Sequence, residues 1–401
     1  MKIIHINAAR TGSTGRTASD LKKYHLLHGD EYRIAYPIPD SDPQSEDILI
    51  GGRFDHKIHA LFSRIFGLQG YFSYFSTIRF LKWLKAYHPD LVVLGNLHAN
   101  YINLPLLFRY LIGEQIPVVM ILHDCWLFTG KCTHFTARGC EKWKTQCSYC
   151  PALKSDNKSW FFDFSSKMFC DRKEWYMRLN SHTVVSVSEW EKNIAMQSPL
   201  FEKSDVTRIY NWVDTDVFKP ASIEQMQNIL QKYHLPKDTK YLISVSAGWI
   251  PNNSRTQDAI QLANILPDGY RLIVVGRAEY GIFPDNVVNI PHTSDQVELA
   301  ALYSLSVAYI HFSVEDTFGK VIAEAMSCGT VPIVFDSTAC AETAGPHGIA
   351  VSPHNVKAII DSLDMASVQD RRKAVRDYAN AHYCKSTNLL KYNQLFKSII
   401  G

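Results

Sequence analysis

Residues 311–332 read HFSVEDTFGKVIAEAMSCGTVP. An apolar run ends at Ser313, a loop carries Glu315 and Asp316, Gly319 permits close backbone approach, and a helical pattern continues to Cys328 before Gly329 stops it. Strand, loop and helix start in that order leave amide groups where a phosphate is favoured by hydrogen bonds and by the helix dipole. Asp316 stands on one side of those amides and Glu324, further along the helix, on the other. The two carboxylates are thereby placed to grip hydroxyls of a ligand whose phosphates lie between them. A carboxylate pair around a helix start is by itself more often a cap than a site; the length of the pattern is what favours the site.

Working outward, Tyr241–Val245, Arg271–Val275, Val287–Ile290, Ala308–Phe312 and Val331–Phe335 are apolar runs separated by helical patterns. Such runs read as strands of a parallel sheet covered on both faces. The same alternation appears earlier, at Lys2–Asn7, Leu91–Leu94, Pro117–Leu122 and Thr183–Val187, with a helical pattern over Ile78–Ala86. The first of these runs is followed by AARTGSTGR (residues 8–16) and a helical pattern through Leu27, the opening of a Rossmann-like unit. The expected fold class is α/β with two doubly wound domains. The boundary falls near 205–220: residues 1–208 form a first domain, 209–384 a second, and 385–401 a C-terminal helix that can pack on either domain, including back on the first. Residues 125–180, rich in cysteine and aromatic residues and without a clear period, read as an irregular cysteine-rich insertion in the first domain.

The length of 401 residues, with 46% hydrophobic and 20% charged, suits two domains and excludes a fibrous or disordered chain. Lys+Arg 42 against Asp+Glu 39 leaves only +3, too weak a field to make nucleic acid the main partner. The balance is uneven along the chain. Residues 51–154 hold 12 basic residues against 5 acidic ones. The basic residues are interleaved with Phe62, Phe66, Tyr71, Phe72, Tyr74, Phe75, Phe80 and Trp83, a mixture that fits either an anionic bilayer surface or a core with a solvated basic face. MKIIHINAAR lacks the apolar core of a secretory signal, and no stretch approaches the ~18 to 20 apolar residues of a spanning helix. The expected location is cytoplasmic, at most peripheral on the inner face of the cytoplasmic membrane.

Five of nine cysteines fall within residues 125–150. Cys132, Cys140, Cys147 and Cys150 offer four thiols, the last two at the spacing of a zinc knuckle, and four thiolates complete a tetrahedral structural site. His134 or Cys125 are alternative ligands, and a disulfide pair or plain buried thiols remain open. A closed four-cysteine site has no open position for catalysis. Asp214 and Asp216 spell a metal-binding Asp-x-Asp, but they sit in the linker and are read as structural.

The 311–332 stretch resembles the signature of the retaining GT-B glycosyltransferases of family 4 (glycosyl transferases group 1): an acidic residue, seven residues and a Glu written around Phe318-Gly319, then Ala325, Met326, Cys328, Gly329, Thr330 and Pro332. The resemblance implies that Asp316 contacts the donor sugar, that Glu324 holds the ribose, and that Thr317, Phe318, Gly319 and Lys320 lie along the diphosphate. Gly12 and Ser13 match the family's glycine loop, facing donor and acceptor across an interdomain cleft. His123, in a His123-Asp124 pair, matches a histidine near the transferred sugar. Asn211–Asp214 resembles a hinge motif, with Trp212 where Gly is usual, and Leu299–Ser304 a donor-side helix. Together with Asn96, His98 and the block 123–151, the chain is similar to enzymes of bacterial capsule, exopolysaccharide or O-antigen assembly. One departure stands out: SAGWIPNNSR (residues 246–255) lacks the expected diphosphate-binding lysine. Arg255 is the replacement, with Lys320 and Arg277 in reserve, a guanidinium being the better bidentate phosphate ligand. The implied activity is retaining transfer of a sugar from a UDP- or GDP-sugar to a saccharide or lipid-linked saccharide, with no catalytic cofactor or metal. A nucleotide-sugar epimerase or hydrolase of the same fold, or a catalytically silent binding subunit, are the alternatives.

Overall fold

The computed structural model describes residues 1–37, 46–279, 281–367 and 369–401. The chain divides into two units, Met1–Ile209 with Leu389–Gly401, and Tyr210–Asn388. The first carries β1 (Lys2–Ile6), β2 (Glu31–Tyr36), β3 (Ile48–Leu49), β4 (Leu91–Leu94), β5 (Val118–Ile121), β6 (His182–Ser186) and β7 (Asp205–Arg208), in the spatial order β3-β2-β1-β4-β5-β6-β7. Every pair is parallel. Runs such as LVVL in β4 are buried at every position, as strands covered by helices on both faces must be. The core gathers Ile4, Val92, Met120, Phe108, Trp126 and Tyr176. The C-terminal helix Lys385–Ile400 buries Leu389, Tyr392 and Phe396, and the Phe396 ring stacks on His25 with centroids 5.3 Å apart.

The 125–180 region departs from the expected irregular insertion. It is the crossover that joins the parallel neighbours β5 and β6, and it ends in a regular helix, Ser165–Arg178. The helical period is hidden in the sequence because one residue of the buried face is charged. Arg172 lies buried beside Met168, Phe169 and Tyr176, with its guanidinium 3.6 Å from the centre of the Trp126 ring. Through one terminal nitrogen that guanidinium donates to the carbonyls of Trp126 (2.7 Å) and Thr129, so backbone and aromatic partners offset the buried charge. Before it, only short 3-10 turns at Cys125–Phe128, Thr136–Arg138 and Lys142–Lys144 interrupt the loop.

The second unit carries β8 (Lys240–Trp249), β9 (Tyr270–Ala278), β10 (Val287–Ile290), β11 (Ala308–His311), β12 (Val331–Phe335) and β13 (Ile349–Val351), ordered β10-β9-β8-β11-β12-β13 and again all parallel. In each sheet the order reverses between the first strand and the fourth. Ligands of such sheets bind outside the carboxyl ends of the strands that flank this reversal. A bulge between Val245 and Gly248 carries β8 past the reversal point. Gly276 of β9 is required there: its φ is +139°, and a Cβ would collide with the Ser246 carbonyl. Among the described residues no helix is long and apolar enough to cross a membrane.

Candidate functional site

In the second unit the reversal lies between β8 and β11. Helix Ser254–Ile265 follows β8, capped by Asn253, whose side chain accepts from the Arg255 amide at 2.9 Å. This start aims Arg255 across the sheet end, where its guanidinium donates to Ser246 Oγ (2.7 Å) and Ser313 Oγ (3.2 Å). Arg255 therefore bridges the ends of both flanking strands. Its charge reaches Tyr309 and Cys340, and it stands at the root of the Asp316 loop.

The loop itself is built by its carboxylate. Asp316 Oδ1 accepts from the Gly319 amide (2.9 Å) and, at a longer 3.4 Å, from the Phe318 amide. Gly319, at φ +79°, then starts helix Lys320–Ser327. Two amides read from the sequence as phosphate donors thus face Asp316, as in a capping turn, which leaves the first turn of the helix as the anion-facing end. Asp316 Oδ2 lies 3.5 Å from His311 Nε2, and His311 Nδ1 is 2.9 Å from Tyr309 Oη. Glu324 is only 6% exposed and turns toward Tyr303, Tyr309 and Cys328. Burial, reinforced by that carboxylate, pushes the Cys328 thiol up.

The other expected donor residues divide. Lys320 sets its ammonium 5.8 Å from the Trp212 ring. Thr317 is buried, and the Phe318 side chain packs edge-on against Tyr383 at 5.1 Å, so Phe318 contributes backbone to the loop. Arg277 is exposed on β9, opposite Gly248. Asp214 pairs with Lys385 at 3.2 Å and accepts from the Asp216 amide, an ordinary turn.

In the first unit the reversal lies between β1 and β4. Gly12 and Ser13 open helix Gly12–Leu27, and Gly15 admits no side chain because a Cβ would collide with the Arg10 carbonyl carbon. Asn7 ties the two strand ends together: its Nδ2 donates to the Ala9 carbonyl (2.7 Å) and its Oδ1 accepts from the Asn96 amide (2.9 Å). His5, fully buried, bonds Tyr32 Oη at 2.9 Å; burial, helped by His123 nearby, holds its ring down to about 3. His123 thus faces another imidazole. The Asp124 beside it pairs with His98, Nε2 to Oδ2 at 2.8 Å, and accepts from the Trp126 amide at 2.9 Å. Asp124 outweighs the effect of burial and raises His98, while the His98 charge and these bonds hold the Asp124 carboxyl below its usual range.

His311, Ser246, Ser313, His5, Asn7 and the His98–Asp124 pairing were not singled out as site features from the sequence. The one local signal was the alternation Tyr309, His311, Ser313 along β11 and its exit, which puts all three on one side. The other groupings join residues made neighbours only by the sheet order.

The family profile described as "Glycosyltransferase Family 4" matches residues 14–217, and that described as "Glycosyl transferases group 1" matches residues 225–382. The chain belongs to Glycosyltransferase Family 4. It is 24% identical over 258 residues to WcaC of Escherichia coli K12, named as a colanic acid biosynthesis glycosyl transferase, covering 63% of this chain and 61% of WcaC. It is 27% identical over 166 residues to the O-antigen chain mannosyltransferase RfbU of Salmonella typhimurium, covering 39% and 46%. The alignments span less than two thirds of either relative. Among solved structures, Anabaena HepE, in complex with UDP and glucose, superposes with TM-score 0.68 at 13% identity over 99% of this chain and all of that one. WaaG, described as a glycosyltransferase of lipopolysaccharide biosynthesis, superposes with TM-score 0.62 at 13% identity over the full length of both. At that identity the likeness is one of fold, and the fold is GT-B.

Proposed function

We propose that this protein transfers a sugar from a nucleotide-sugar, with retention of anomeric configuration, to a lipid-linked saccharide in surface-polysaccharide assembly. The observation that carries the reading is Arg255, bridging Ser246 and Ser313 at the strand reversal beside Asp316 and the helix start. A diphosphate there meets a guanidinium in a bidentate geometry, the positive end of helix Lys320–Ser327 and the Lys320 ammonium. Glu324 binds the ribose hydroxyls and Asp316 those of the sugar. The acceptor hydroxyl approaches the face that the phosphate leaves, and its proton passes to the departing phosphate oxygen. The protein's task is to position the two substrates and stabilise the negative leaving group. The names of the relatives, for colanic acid and O-antigen chains, and the UDP held by HepE, support the substrate classes.

The lipid-linked acceptor rests on the first unit. Helix Arg53–Phe66 buries only His59 and Ser63, both polar, and exposes Phe54, Ile58, Leu61, Phe62 and Phe66 beside Arg53, Lys57 and Arg64. A helix with its apolar side chains outward among cations fits an anionic bilayer. The loop at Trp160–Phe162 extends the patch: the Trp160 amide donates to the Arg64 carbonyl at 2.5 Å, and Phe162 stacks on Phe66 at 5.8 Å. Behind it lies a polar cavity of about 290 Å³ lined by Ser63, Arg64, Gln69, Asn100, Asn157 and Lys158, suited to a polar head group. The Gln69 amide reaches the His98 carbonyl.

Thermal shift with a panel of UDP- and GDP-sugars tests the donor half. At a concentration 100 times Kd a ligand stabilises by about 2.7 kcal/mol, roughly 5–10 °C for a unit of this size. One donor is expected to produce that shift in the wild type and to lose most of it in Arg255→Ala. No shift with any nucleotide-sugar, or an equal shift in both proteins, overturns the reading.

A further inference from the structure

We infer that Cys132, Cys140, Cys147 and Cys150 bind one structural zinc ion that fixes the loop between β5 and helix Ser165–Arg178. All four line a single cavity, walled also by Phe135 and Trp143. Cys125 and His134, the other ligand types of the stretch, are not among its lining residues. The structure therefore selects one set of four thiols from a sequence pattern that left several open.

A backbone amide points to a thiolate at this cavity. The Gly130 amide donates to Cys147 Sγ at 3.2 Å. A neutral thiol is a weak acceptor, whereas a metal-bound thiolate is held in place by such donors. Gly130 is fixed by the approach, since a Cβ would lie 2.6 Å from Cys147 Cβ. Lys131 is buried beside the cluster, its ammonium donating to the carbonyls of Leu153 (3.3 Å) and Asp156 (3.0 Å) and its charge facing Cys132 and Cys150. Four thiols that take up Zn²⁺ release four protons and leave a site of charge −2, which Lys131 partly offsets. As the side chains stand, no three ligand groups among the described residues share a coordination centre; binding requires the thiols to turn about χ1 into the cavity they already line.

The loop has physical need of a staple. Between Thr129 and Phe164 it holds no helix longer than three residues, and its apolar interior is little more than Phe135, Trp143 and Ala152. It nevertheless carries Trp160–Phe162 and one wall of the polar cavity.

Metal analysis of the full chain, freshly purified under reducing conditions, is expected to find about one zinc per chain. Blocking thiols in the wild type should release it to a colorimetric chelator and lower the melting temperature, and Co²⁺ exchange should give the sulfur-to-metal absorption of a tetrathiolate. Cys147→Ser and Cys150→Ser should lose the metal while Cys125→Ser and Cys170→Ser retain it. Wild-type protein without metal overturns the inference, whether its nine thiols titrate free or peptide mass spectrometry finds a Cys132–Cys150 disulfide.

Discussion

The two units share the order of six strands, to which the first adds the edge strand β7, and differ in what they place at the reversal. In the second, β8 and β11 are joined by a cation, Arg255, with two carboxylates and a helix start alongside. In the first, β1 and β4 are joined by an amide, Asn7, with His5, His123 and the His98–Asp124 pair around it. Topology therefore puts polar groups at the same point of both sheets, and side-chain chemistry distinguishes them: a guanidinium and two carboxylates in one unit, an amide, buried imidazoles and the His98–Asp124 pair in the other.

The sharpest way to break that contrast is to change one charge in each unit. If Glu324 binds the ribose as proposed, Glu324→Gln keeps the shape and removes the charge that strengthens its hydrogen bonds to the two hydroxyls. With charged hydrogen bonds contributing about 1.5–3 kcal/mol each, kcat/KM for donor is expected to fall about 100-fold, with the far-ultraviolet circular dichroism unchanged. His98→Asn should alter the acceptor KM and leave donor affinity, measured by calorimetry, at the wild-type value. If His98→Asn weakens the donor as much as Glu324→Gln does, the division of labour is wrong.

How much of this was legible follows from where the information lies. β4 and β12 were read to the residue because nearly continuous apolar runs mark a strand buried on both faces, and the edge strand β10, VVNI, was read to the residue although only Ile290 is buried. β2 was not read, because Glu31 and Arg33 interrupt EYRIAY, and neither was the edge strand β7, DVTR, whose positions are all exposed or half-buried. The 311–332 stretch was legible because its parts follow one another in one strand–loop–helix unit. Arg255 was legible only as a substitute for a missing lysine; its contact with Ser313, 58 residues on, exists through the pairing of β8 with β11. Asp124 was read with its neighbour His123, yet its partner is His98, since adjacent residues at a strand exit diverge while β4 and β5 bring residues 26 apart together.

The second contrast is in response to acid. Burial holds His5 and His59 down to about 3 and also lowers His25 and His182, all in the first unit. The unfolded chain protonates these rings near 6.5. Their contribution to stability is complete above pH 6.5 and is lost progressively as the pH falls toward 3. At pH 5.5 His5 and His59 each cost about 1.4 kcal/mol relative to neutral pH. His98 opposes them: its pKa is raised by Asp124, so its contribution is complete below 6.5 and fades at higher pH, one ring against four. Hydrogen exchange at pH 7.5 and 5.5, corrected for intrinsic rates, should find amides of β1, β4 and β5 losing protection while those of β8, β11 and β12 keep it. Equal losses in both sheets would falsify the assignment of acid sensitivity to the buried imidazoles.

The smallest expected effect concerns the exposed aromatic surface of the first unit. Phe54 is 77% exposed and Phe75 78%, so neither contributes much to the first unit's core, and Phe54→Ser with Phe75→Ser should leave the melting temperature within a degree or two. Burying a Phe side chain is worth about 1.5–3 kcal/mol at full depth, and partial insertion at a bilayer surface gains a fraction of that. The double variant should therefore bind vesicles of phosphatidylglycerol and phosphatidylethanolamine about tenfold more weakly, by flotation, with unchanged affinity for the nucleotide-sugar. Raising the salt should weaken the wild type further through Arg53, Lys57 and Arg64, since exposed charges are screened beyond about 10 Å at 0.1 M. Wild-type binding that is absent, or indifferent to both the aromatic substitutions and salt, removes the membrane from the acceptor side and leaves a soluble saccharide as the substrate to test.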